Sequence, residues 1–270
     1  MKALLYAGLI LLLGCGKGEH EPVIPPPVVI DPPPTELSYQ LTWSDEFDGT
    51  TLSPANWTFE LGDGCDKGIC RWGNDESQWY TDENHNVSDG ILTITATKGN
   101  LINSTRIKTE NKVEHQYGKI EARIKLPQGD GTWPAFWMLG FDIDTVGWPA
   151  CGEIDIMEYV GRIPNKTHNA IHTTSSHGNT VNHKEIVVDD PENWHTYSIE
   201  WTSEKIDFFV DDTKTYTYNP GVKNAATWPF NKPFFLLLNF AVGGTFGGAI
   251  DNSIFPQEYQ IDYVRWYQLK

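Results

Sequence analysis

Residues 153–159 of this chain place three acids, Glu153, Asp155 and Glu158, within one short segment that is otherwise apolar. In a regular β-strand Glu153 and Asp155 share one face, whereas Glu158, at an odd offset from Glu153, falls on the face of the isoleucines. A single β-bulge near Met157 removes this conflict, because one extra residue returns Glu158 to the face of the other two acids. The segment therefore predicts a bulged strand with three carboxyl groups in one cleft.

The predicted bulge also sets the spacing of the outer two acids. Glu153 and Glu158 would lie about 13 Å apart at Cα, and side chains that lean together would bring their carboxyl groups to about 5–6 Å, a separation typical of retaining glycosidases. A solvated acidic strand face is the alternative. It predicts lysine or arginine nearby, whereas residues 131–138 and 147–149 contribute aromatic side chains. Indole faces beside carboxylates suit a sugar, whose C–H groups pack on rings.

Composition bounds the number of domains and the class of partner. The chain has 270 residues, of which 39% are hydrophobic, and this predicts one catalytic domain with one large core. The formal net charge of −16 argues against nucleic acid and anionic membrane surfaces, since both require a basic footprint. A neutral substrate fits this charge better. Most of the eleven tryptophans are expected in the interior.

The N-terminal residues predict export. Lys2 precedes an apolar run at 4–13 that is too short to span a membrane, so residues 1–14 are predicted to be a cleaved signal peptide. The end of this run resembles a bacterial lipobox, which makes Cys15 the lipid-modified first residue of the mature protein. The predicted location is the bacterial cell envelope, with a lipid anchor in the membrane, on the outer membrane, the cell surface or the periplasmic face. A plain signal peptide followed by secretion is the alternative.

A Pro-rich segment separates this leader from the folded domain. Prolines 25–27 and 32–34 favour an extended polyproline spacer, so residues 15–36 are predicted to be a tether. Residues 37–270 are then predicted to form the catalytic domain, which we expect to be a monomer.

Short runs of β-branched and aromatic residues with period-two alternation dominate the rest of the chain, and long amphipathic helical patterns are absent. The run at 234–240 is continuously apolar, which suits a central strand covered on both faces. We therefore predict an all-β fold, a two-sheet jelly-roll β-sandwich with a concave substrate cleft. The predicted strands include residues 41–43, 91–96, 118–124, 197–201, 206–210, 234–240 and 261–267.

Three cysteines remain after Cys15, at positions 65, 70 and 151. In an oxidising envelope the short spacing of Cys65 and Cys70 allows a disulfide between them, which would leave Cys151 free, although spacing alone leaves the pairing open. Cys151 would share strand parity with Glu153. A cysteine nucleophile needs a basic partner to lower its pKa, and the adjacent acids would raise it, which argues against a thiol enzyme.

Several motifs that occur in order carry a family resemblance. They are WPAFWM at 133–138, GEIDIMEYVG at 152–161, NFAVGG at 239–244 and DYVR at 262–265, with further matches at 43–47 and 72–78. A lone Glu-x-Asp-x-x-Glu pattern is a weak signal, but with these companions it is specific. The set resembles glycoside hydrolase family 16, laminarinase branch, over about residues 37–270.

The resemblance implies a role for each acid. Glu153 matches the nucleophile, Asp155 its assisting neighbour and Glu158 the acid/base. Glu153 must be ionised to attack the anomeric carbon, whereas Glu158 must hold a proton for the leaving oxygen. Burial and crowded like charges are expected to raise the pKa of Glu158.

The same resemblance suggests residues that bind substrate. We expect Trp137 to underlie the sugar next to the scissile bond, while a role in the core is the alternative for each tryptophan. His172 should pair beside the catalytic strand, although a lone histidine is more often structural. Arg71, Asn74 and Glu76 match a loop that contacts sugars in other members of the family. A structural role in the loop, without substrate contact, is the alternative for these three residues. The predicted substrate-binding residues are Trp133, Trp137, His172, Arg71, Asn74 and Glu76.

The histidines show no tight metal-ligand spacing, so we predict no cofactor and no catalytic metal. Many members of the family carry a structural calcium ion, and the matching positions here are Glu46, Gly90 and Asp262. Backbone and carboxylate oxygens suit Ca²⁺. Only the resemblance locates this site.

The implied activity is retaining, endo-acting hydrolysis of β-1,3-glucosidic bonds in laminarin-like β-glucans. The five-residue spacing of Glu153 and Glu158 favours the bulged branch over mixed-linkage lichenases. Hydrolysis of another β-linked polysaccharide, such as mixed-linkage glucan, agar, porphyran or carrageenan, is the alternative. A β-glucan-binding protein without chemistry is disfavoured because both catalytic acids are present, and transglycosylation stays open because sugars compete with water for the intermediate.

Overall fold

The alternating runs form β-strands in the computed structural model, which describes residues 37–270. The predicted signal peptide, the lipidation of Cys15 and the Pro-rich tether lie outside the described residues. All seven predicted runs are strands, most of them extended by a few residues. Among residues 37–270, no helix has the length and apolar character needed to cross a bilayer.

The first sheet has ten strands. At its centre the long C-terminal strand pairs antiparallel with three other strands. One of these is the first strand of the domain, so this pairing holds the two ends of the domain together. Its strands are β1 (Tyr39–Asp45), β3 (Gln78–Tyr80), β4 (His85–Ser88), β5 (Ile91–Lys98), β6 (Ile102–Ser104), β9 (Gly118–Lys125), β14 (His195–Trp201), β15 (Ile206–Val210), β16 (Thr213–Tyr218) and β18 (Gln257–Leu269).

The second sheet has eight strands, and its pairings are antiparallel. Two short helices, α1 (Ile143–Val146) and α2 (Gly244–Gly247), follow two of its central strands. Its strands are β2 (Thr58–Glu60), β7 (Arg106–Lys108), β8 (Glu114–His115), β10 (Thr132–Gly140), β11 (Glu153–Tyr159), β12 (Lys166–His172), β13 (His183–Val187) and β17 (Phe234–Val242).

The main hydrophobic core lies between the two sheets and draws on both. Every residue of β17 is buried, as expected for a continuously apolar strand, and β17 pairs with β10 on one side and β7 on the other. Burial of this apolar area is the main favourable contribution to folding. The predicted all-β, two-sheet sandwich is therefore confirmed.

The predicted bulge is present on β11. On β10 the consecutive residues Phe136 and Trp137 pair with Met157 and Asp155, so Ile156 is the extra residue. The pairing of β11 with β12 is interrupted at the same place. The bulge arises because a strand that buries isoleucines on one face and presents acids at an odd spacing on the other cannot keep a regular period of two.

The bulge separates the side chains of β11 as the sequence predicts. Ile154, Ile156 and Met157 are fully buried in the main core. Glu153 and Glu158 remain partly exposed on the opposite side of the sheet. We call this side, which carries the three acids, the cleft face.

A buried amide stabilises the bulge from the core side. The side-chain N–H of Asn169 on β12 donates to the carbonyl oxygen of Ile156 at 2.6 Å, and its Oδ1 accepts from the hydroxyl of Thr215 at 3.1 Å. Asn169 is 1% exposed. Since Ile156 is the extra residue, this bond satisfies a buried carbonyl that the bulge removes from the regular ladder.

The loop between β2 and β3 contains two 3₁₀ turns, Cys65–Lys67 and Cys70–Gly73. A disulfide joins Cys65 to Cys70 in the structure. Gly64 has a φ of 82°, and a Cβ at this position would lie 2.7 Å from the carbonyl oxygen of Ile69. The loop therefore requires glycine there, both for the left-handed conformation and for the close approach.

Candidate active site

Two of the three acids of β11, Glu153 and Asp155, meet His172 on the cleft face. The strand of His172, β12, pairs beside β11 as predicted, and His172 is the direct register partner of Glu153. Its Nε2 atom lies 3.1 Å from Oδ2 of Asp155 and 3.7 Å from Oε1 of Glu153. Asp155 is 4% exposed. The cluster thus places carboxyl groups and an imidazole together with little access to water.

Two indole N–H groups donate to the outer acids. Nε1 of Trp133 lies 2.9 Å from Oε1 of Glu158, and Nε1 of Trp148 lies 2.7 Å from Oε2 of Glu153. Trp133 belongs to β10 and is 8% exposed, whereas Trp148 lies on the loop before β11 and is 46% exposed. Each acid therefore has its own donor, one in a dry environment and one at the surface of the cleft.

Burial controls the protonation of the cluster. Burial, with repulsion from Asp155, raises the pKa of Glu153 to about 8, while His172 and the N–H of Trp148 oppose that shift. Burial and repulsion from Glu158 raise the pKa of Asp155 well above its usual value. Burial also raises the pKa of Glu158 against the N–H of Trp133, in the predicted direction. The cluster therefore retains protons at neutral pH.

A chain of hydrogen bonds links the centre of the cleft face to its far side. Nε1 of Trp137 donates to Oδ1 of Asn239 at 2.7 Å, and Nδ2 of Asn239 donates to the hydroxyl of Tyr80 at 3.0 Å. The hydroxyl of Tyr80 donates to Oε2 of Glu76 at 3.3 Å, and Gln78 donates to the same oxygen at 2.6 Å. These bonds orient Trp137 beside Asp155, its register partner on β11.

A buried arginine lies farther along the cleft face. The Arg106 guanidinium is 4.3 Å from the ring centroid of Trp72 and 4.9 Å from that of Trp137. Its Nε donates to Oε2 of Glu60 at 2.5 Å. Nearby Arg106 and Lys108 lower the pKa of Glu60 to about 2 despite burial. The arrangement makes a rigid wall of two indoles around one guanidinium.

The predicted loop residues have different environments. The three nitrogens of the Arg71 guanidinium contact the loop itself, at the carbonyls of Glu76 and Asp75 and the carboxylate of Asp75. Asn74 donates to Glu76 at 3.3 Å and accepts from the backbone N–H of Thr245 at 2.8 Å. Glu76 is 4% exposed. These contacts show bracing of the loop, and substrate contact by these residues stays a prediction.

On the other side of Glu158, His168 is its direct register partner on β12. The ring of Phe246 packs edge-on against both His168 and Trp133, with centroids 5.0 and 5.5 Å apart. Burial lowers the pKa of His168 to about 4, so the imidazole is neutral at neutral pH. Glu158 therefore lies between an indole and an uncharged imidazole.

The predicted calcium ligands have other partners. Both carboxylate oxygens of Glu46 accept from Arg265 at 2.8 and 2.7 Å, and Oδ2 of Asp262 is 2.6 Å from Arg123. A Cβ at Gly90 would lie 3.9 Å from the carbonyl oxygen of Glu46. Arginine engages both carboxylate oxygens of Glu46 and Oδ2 of Asp262, which leaves the backbone oxygens of the set and Oδ1 of Asp262 for Ca²⁺. Calcium binding at these positions stays a prediction.

Cys151 is the free cysteine of the described residues and is fully buried. Burial and the neighbouring Glu153 raise the pKa of its thiol to about 12. The thiol therefore lacks the ionised form that nucleophilic catalysis requires.

Sequence reasoning missed several of these groups. Asn169, His168, Arg106 and Trp148 were not among the predicted site residues, although Trp148 lies in a flanking segment that the sequence already marks as aromatic. Strand parity could have indicated His168, since it lies four residues before His172 on the same strand. The partner of Asn169 is visible only after the register of β12 is known.

A β-sandwich that gathers carboxyl groups beneath indole rings on an open sheet face has the features of a carbohydrate-cleaving enzyme. Comparison with known families agrees with this class. Residues 73–265 match the family described as glycosyl hydrolases family 16, and the chain belongs to this family.

Individual relatives are similar over most of the chain. A β-glucanase from Rhodothermus marinus is 40% identical over 255 residues, which are 85% of this chain and 85% of that protein. The crystal structure of a laminarinase from Flavobacterium sp. UMI-01 has a TM-score of 0.83 and 53% identity, covering 85% of this chain and all of that chain. The laminarinase catalytic domain from Thermotoga maritima MSB8 has a TM-score of 0.80 and 41% identity, covering 85% and 98% of the two chains.

Proposed function

We propose that this family 16 glycoside hydrolase cleaves internal β-1,3-glucosidic bonds of laminarin-like glucans with retention of configuration. The observation that carries the proposal is the bulge at Ile156, which places Glu153, Asp155 and Glu158 on one face of β11. The laminarinases and the β-glucanase named above support the substrate class. The tryptophans and the absence of lysine or arginine ion pairs with these acids, within residues 37–270, suit a neutral sugar polymer.

In the first step an oxygen of ionised Glu153 forms a bond to the anomeric carbon as the glycosidic C–O bond breaks. Glu158 gives its proton to the departing sugar oxygen. Asp155 holds a proton towards Glu153, because burial makes its ionised form unfavourable. When Asp155 holds this proton, it no longer repels the negative charge of Glu153, a repulsion that raises the pKa of Glu153. Asp155 donates a hydrogen bond to the Glu153 carboxylate instead, which favours the ionised, nucleophilic form of Glu153.

In the second step Glu158, now ionised, removes a proton from water, and the water oxygen attacks the anomeric carbon. The bond to Glu153 breaks, and Glu153 leaves as a carboxylate. The N–H of Trp133 stabilises Glu158 in this ionised state. A sugar hydroxyl in place of water would give transglycosylation by the same route. The carboxyl groups supply this chemistry without a cofactor.

We assign substrate contact mainly to Trp137. It is half-buried, its N–H is fixed by Asn239, and its register partner is Asp155. A ring held in this way next to the reacting centre can pack against the C–H face of a glucosyl unit. His172 contacts the acids directly and so is close enough to influence both the charge of the cluster and the bound sugar.

Product analysis tests the substrate and the stereochemistry. Purified protein is incubated with laminarin, mixed-linkage glucan, agarose and carrageenan, and proton NMR follows the first-formed anomer. We expect laminari-oligosaccharides of several lengths from laminarin, released first as the β-anomer. Activity confined to the galactans would reject the proposed substrate, and first release of the α-anomer would reject the double displacement.

Replacement of each acid tests its role. Glu153→Ser should abolish hydrolysis while the protein is still retained on a laminarin affinity gel. Glu158→Ala should recover turnover when azide is added, because a small anion can attack the glycosyl-enzyme without a general base, and the product should be a β-glycosyl azide. Unchanged hydrolysis by Glu153→Ser would remove it from the role of nucleophile.

We also propose that the enzyme is anchored in the cell envelope through a lipid on Cys15, with residues 15–36 as the tether and residues 37–270 as a monomeric catalytic domain. The lipobox-like end of the apolar run and the proline clusters support this. Labelled palmitate should be incorporated into the wild-type protein and lost in Cys15→Ser. Incorporation that persists in Cys15→Ser would reject this anchor, and its absence from the wild type would favour plain secretion.

A further inference from the structure

Three donor groups of the cleft face converge closely enough to share one ion. Carboxylate oxygens of Glu153 and Asp155 and a ring nitrogen of His172 lie within 4.8 Å of one another. Two of the separations are 3.1 and 3.7 Å, from Nε2 of His172 to Asp155 and to Glu153. Ligands about 2.0–2.1 Å from a tetrahedral zinc ion are about 3.3 Å apart, so small side-chain movements suffice to bind one.

The second observation is an unpartnered atom directed into this cluster. Asp155 is 4% exposed, and its Oδ2 has no hydrogen-bond partner, although Nε2 of His172 lies 3.1 Å away. A buried carboxylate oxygen without a donor is costly. Among residues 37–270, no lysine or arginine forms an ion pair with Glu153 or Asp155. A small dication would displace to solvent the proton that Asp155 otherwise holds, satisfy the orphan oxygen and offset the charge of both carboxylates.

The donor set selects the class of ion. An imidazole with two carboxylates suits zinc and other transition metals, whereas Ca²⁺ and Mg²⁺ prefer sets made of oxygen alone. Three protein ligands leave one tetrahedral position for water. We propose that Glu153, Asp155 and His172 form an inhibitory binding site for a divalent transition-metal ion, with zinc as its representative.

Such an ion would be coordinated by Glu153 and would therefore block the proposed nucleophile. An oxygen of Glu153 that coordinates zinc has its lone pair engaged, and the ion with its water occupies space that the anomeric carbon needs. Zinc and glucan would therefore compete for the cleft. Glu158 lies outside the ligand set, and its bond to Trp133 is unaffected. The site thus gives the enzyme sensitivity to free transition metal without any metal step in catalysis.

Isothermal titration of the full chain with zinc chloride, in buffer without chelating anions, tests the site. We expect one zinc per chain in the wild type and in Glu158→Gln, and loss of that event in His172→Asn. Loss of a group that merely orients a metal ligand costs about 10–100-fold in affinity, so loss of the ligand should cost at least as much. His183→Asn is the matched control, because His183 lies on the edge strand β13 and is not part of this ligand set.

A second variant and a competition experiment keep the test independent of folding and of activity. Asp155→Asn should also lose the zinc event, and circular dichroism should show that both variants are folded. Laminarihexaose binding to inactive Glu158→Gln should weaken as zinc is added and recover with EDTA. Equal zinc binding by wild type and His172→Asn would overturn the proposal, as would binding lost in His183→Asn. The zinc titration needs no turnover, so failure of the proposed activity would leave its result intact.

Discussion

The two indole donors allow the roles of Glu153 and Glu158 to be separated by one kind of substitution. Trp133→Phe keeps an aromatic ring against Phe246 but removes the N–H that donates to Glu158 at 2.9 Å. That N–H stabilises the ionised acid, so its loss should raise the pKa of Glu158 further. Because the proposed general acid must be protonated, the basic limb of the pH dependence of kcat/KM should move to higher pH.

The size of the shift follows from burial. A hydrogen bond to a charged group contributes about 1.5–3 kcal/mol, which corresponds to about 1–2 pKa units. Trp133 is 8% exposed, so water cannot readily replace the lost donor. Trp148→Phe is the matched control, because Trp148 donates to Glu153 at 2.7 Å but is 46% exposed. Water can substitute there, and we expect a smaller change, about 0.5 unit or less.

The two variants should affect opposite limbs of the profile. Glu153 must be ionised to react, so a rise in its pKa in Trp148→Phe moves the acidic limb to higher pH and leaves the basic limb nearly unchanged. The assay is kcat/KM on laminarin between pH 4 and 10 for both variants and the wild type, with unfolding measured at each pH. A Trp133→Phe profile whose acidic limb moves instead, or whose basic limb stays in place, would refute the assignment of Glu158 as the acid.

Three further predictions concern stability. Asn169→Ala should lower the free energy of unfolding by about 1–3 kcal/mol, because the buried carbonyl of Ile156 loses its donor, and it should reduce kcat as well; an unchanged urea midpoint would contradict this. Burial raises the pKa of Glu153 to about 8 from 4.5, so its ionisation lowers stability progressively as pH rises between these values. Glu153→Gln should therefore match the wild type at pH 4 and exceed it by about 4 kcal/mol at pH 8 in thermal unfolding, and a variant less stable at pH 8 would contradict this sign. Removal of the Cys65–Cys70 disulfide by Cys65→Ala and Cys70→Ala should cost about 2 kcal/mol on a chain-entropy estimate, and dithiothreitol should then destabilise the wild type but not the double variant.

The local sequence pattern was sufficient to predict the fold class and the placement of the three acids on one face of a strand. The period-two runs predicted the strands because alternation follows directly from the pleat of a strand, and the odd spacing of Glu153 and Glu158 required a bulge. The pairing of His172 beside β11 was also predicted, together with the family resemblance. Limits of the elements were less predictable: the final strand begins at Gln257, four residues before the predicted start.

The environments of those residues depended on contacts between distant parts of the chain. Glu46 and Asp262, at the predicted calcium site, pair with Arg265 and Arg123, because the register of the first sheet brings those arginines to them. Arg71 is occupied by its own loop. Spacing in sequence contains no information about such partners.

By itself the sequence determined that this chain forms strands, that its middle acidic strand is irregular, and that three acids meet on one face. These properties are local, since they depend on side-chain parity over a few residues. Only the tertiary structure decided which group each acid meets: Trp133 for Glu158, Trp148 for Glu153, and an amide from Asn169 to hold the bulge. The physical reason is that charge and hydrogen bonding in a buried site depend on neighbours brought together by sheet register and loop closure.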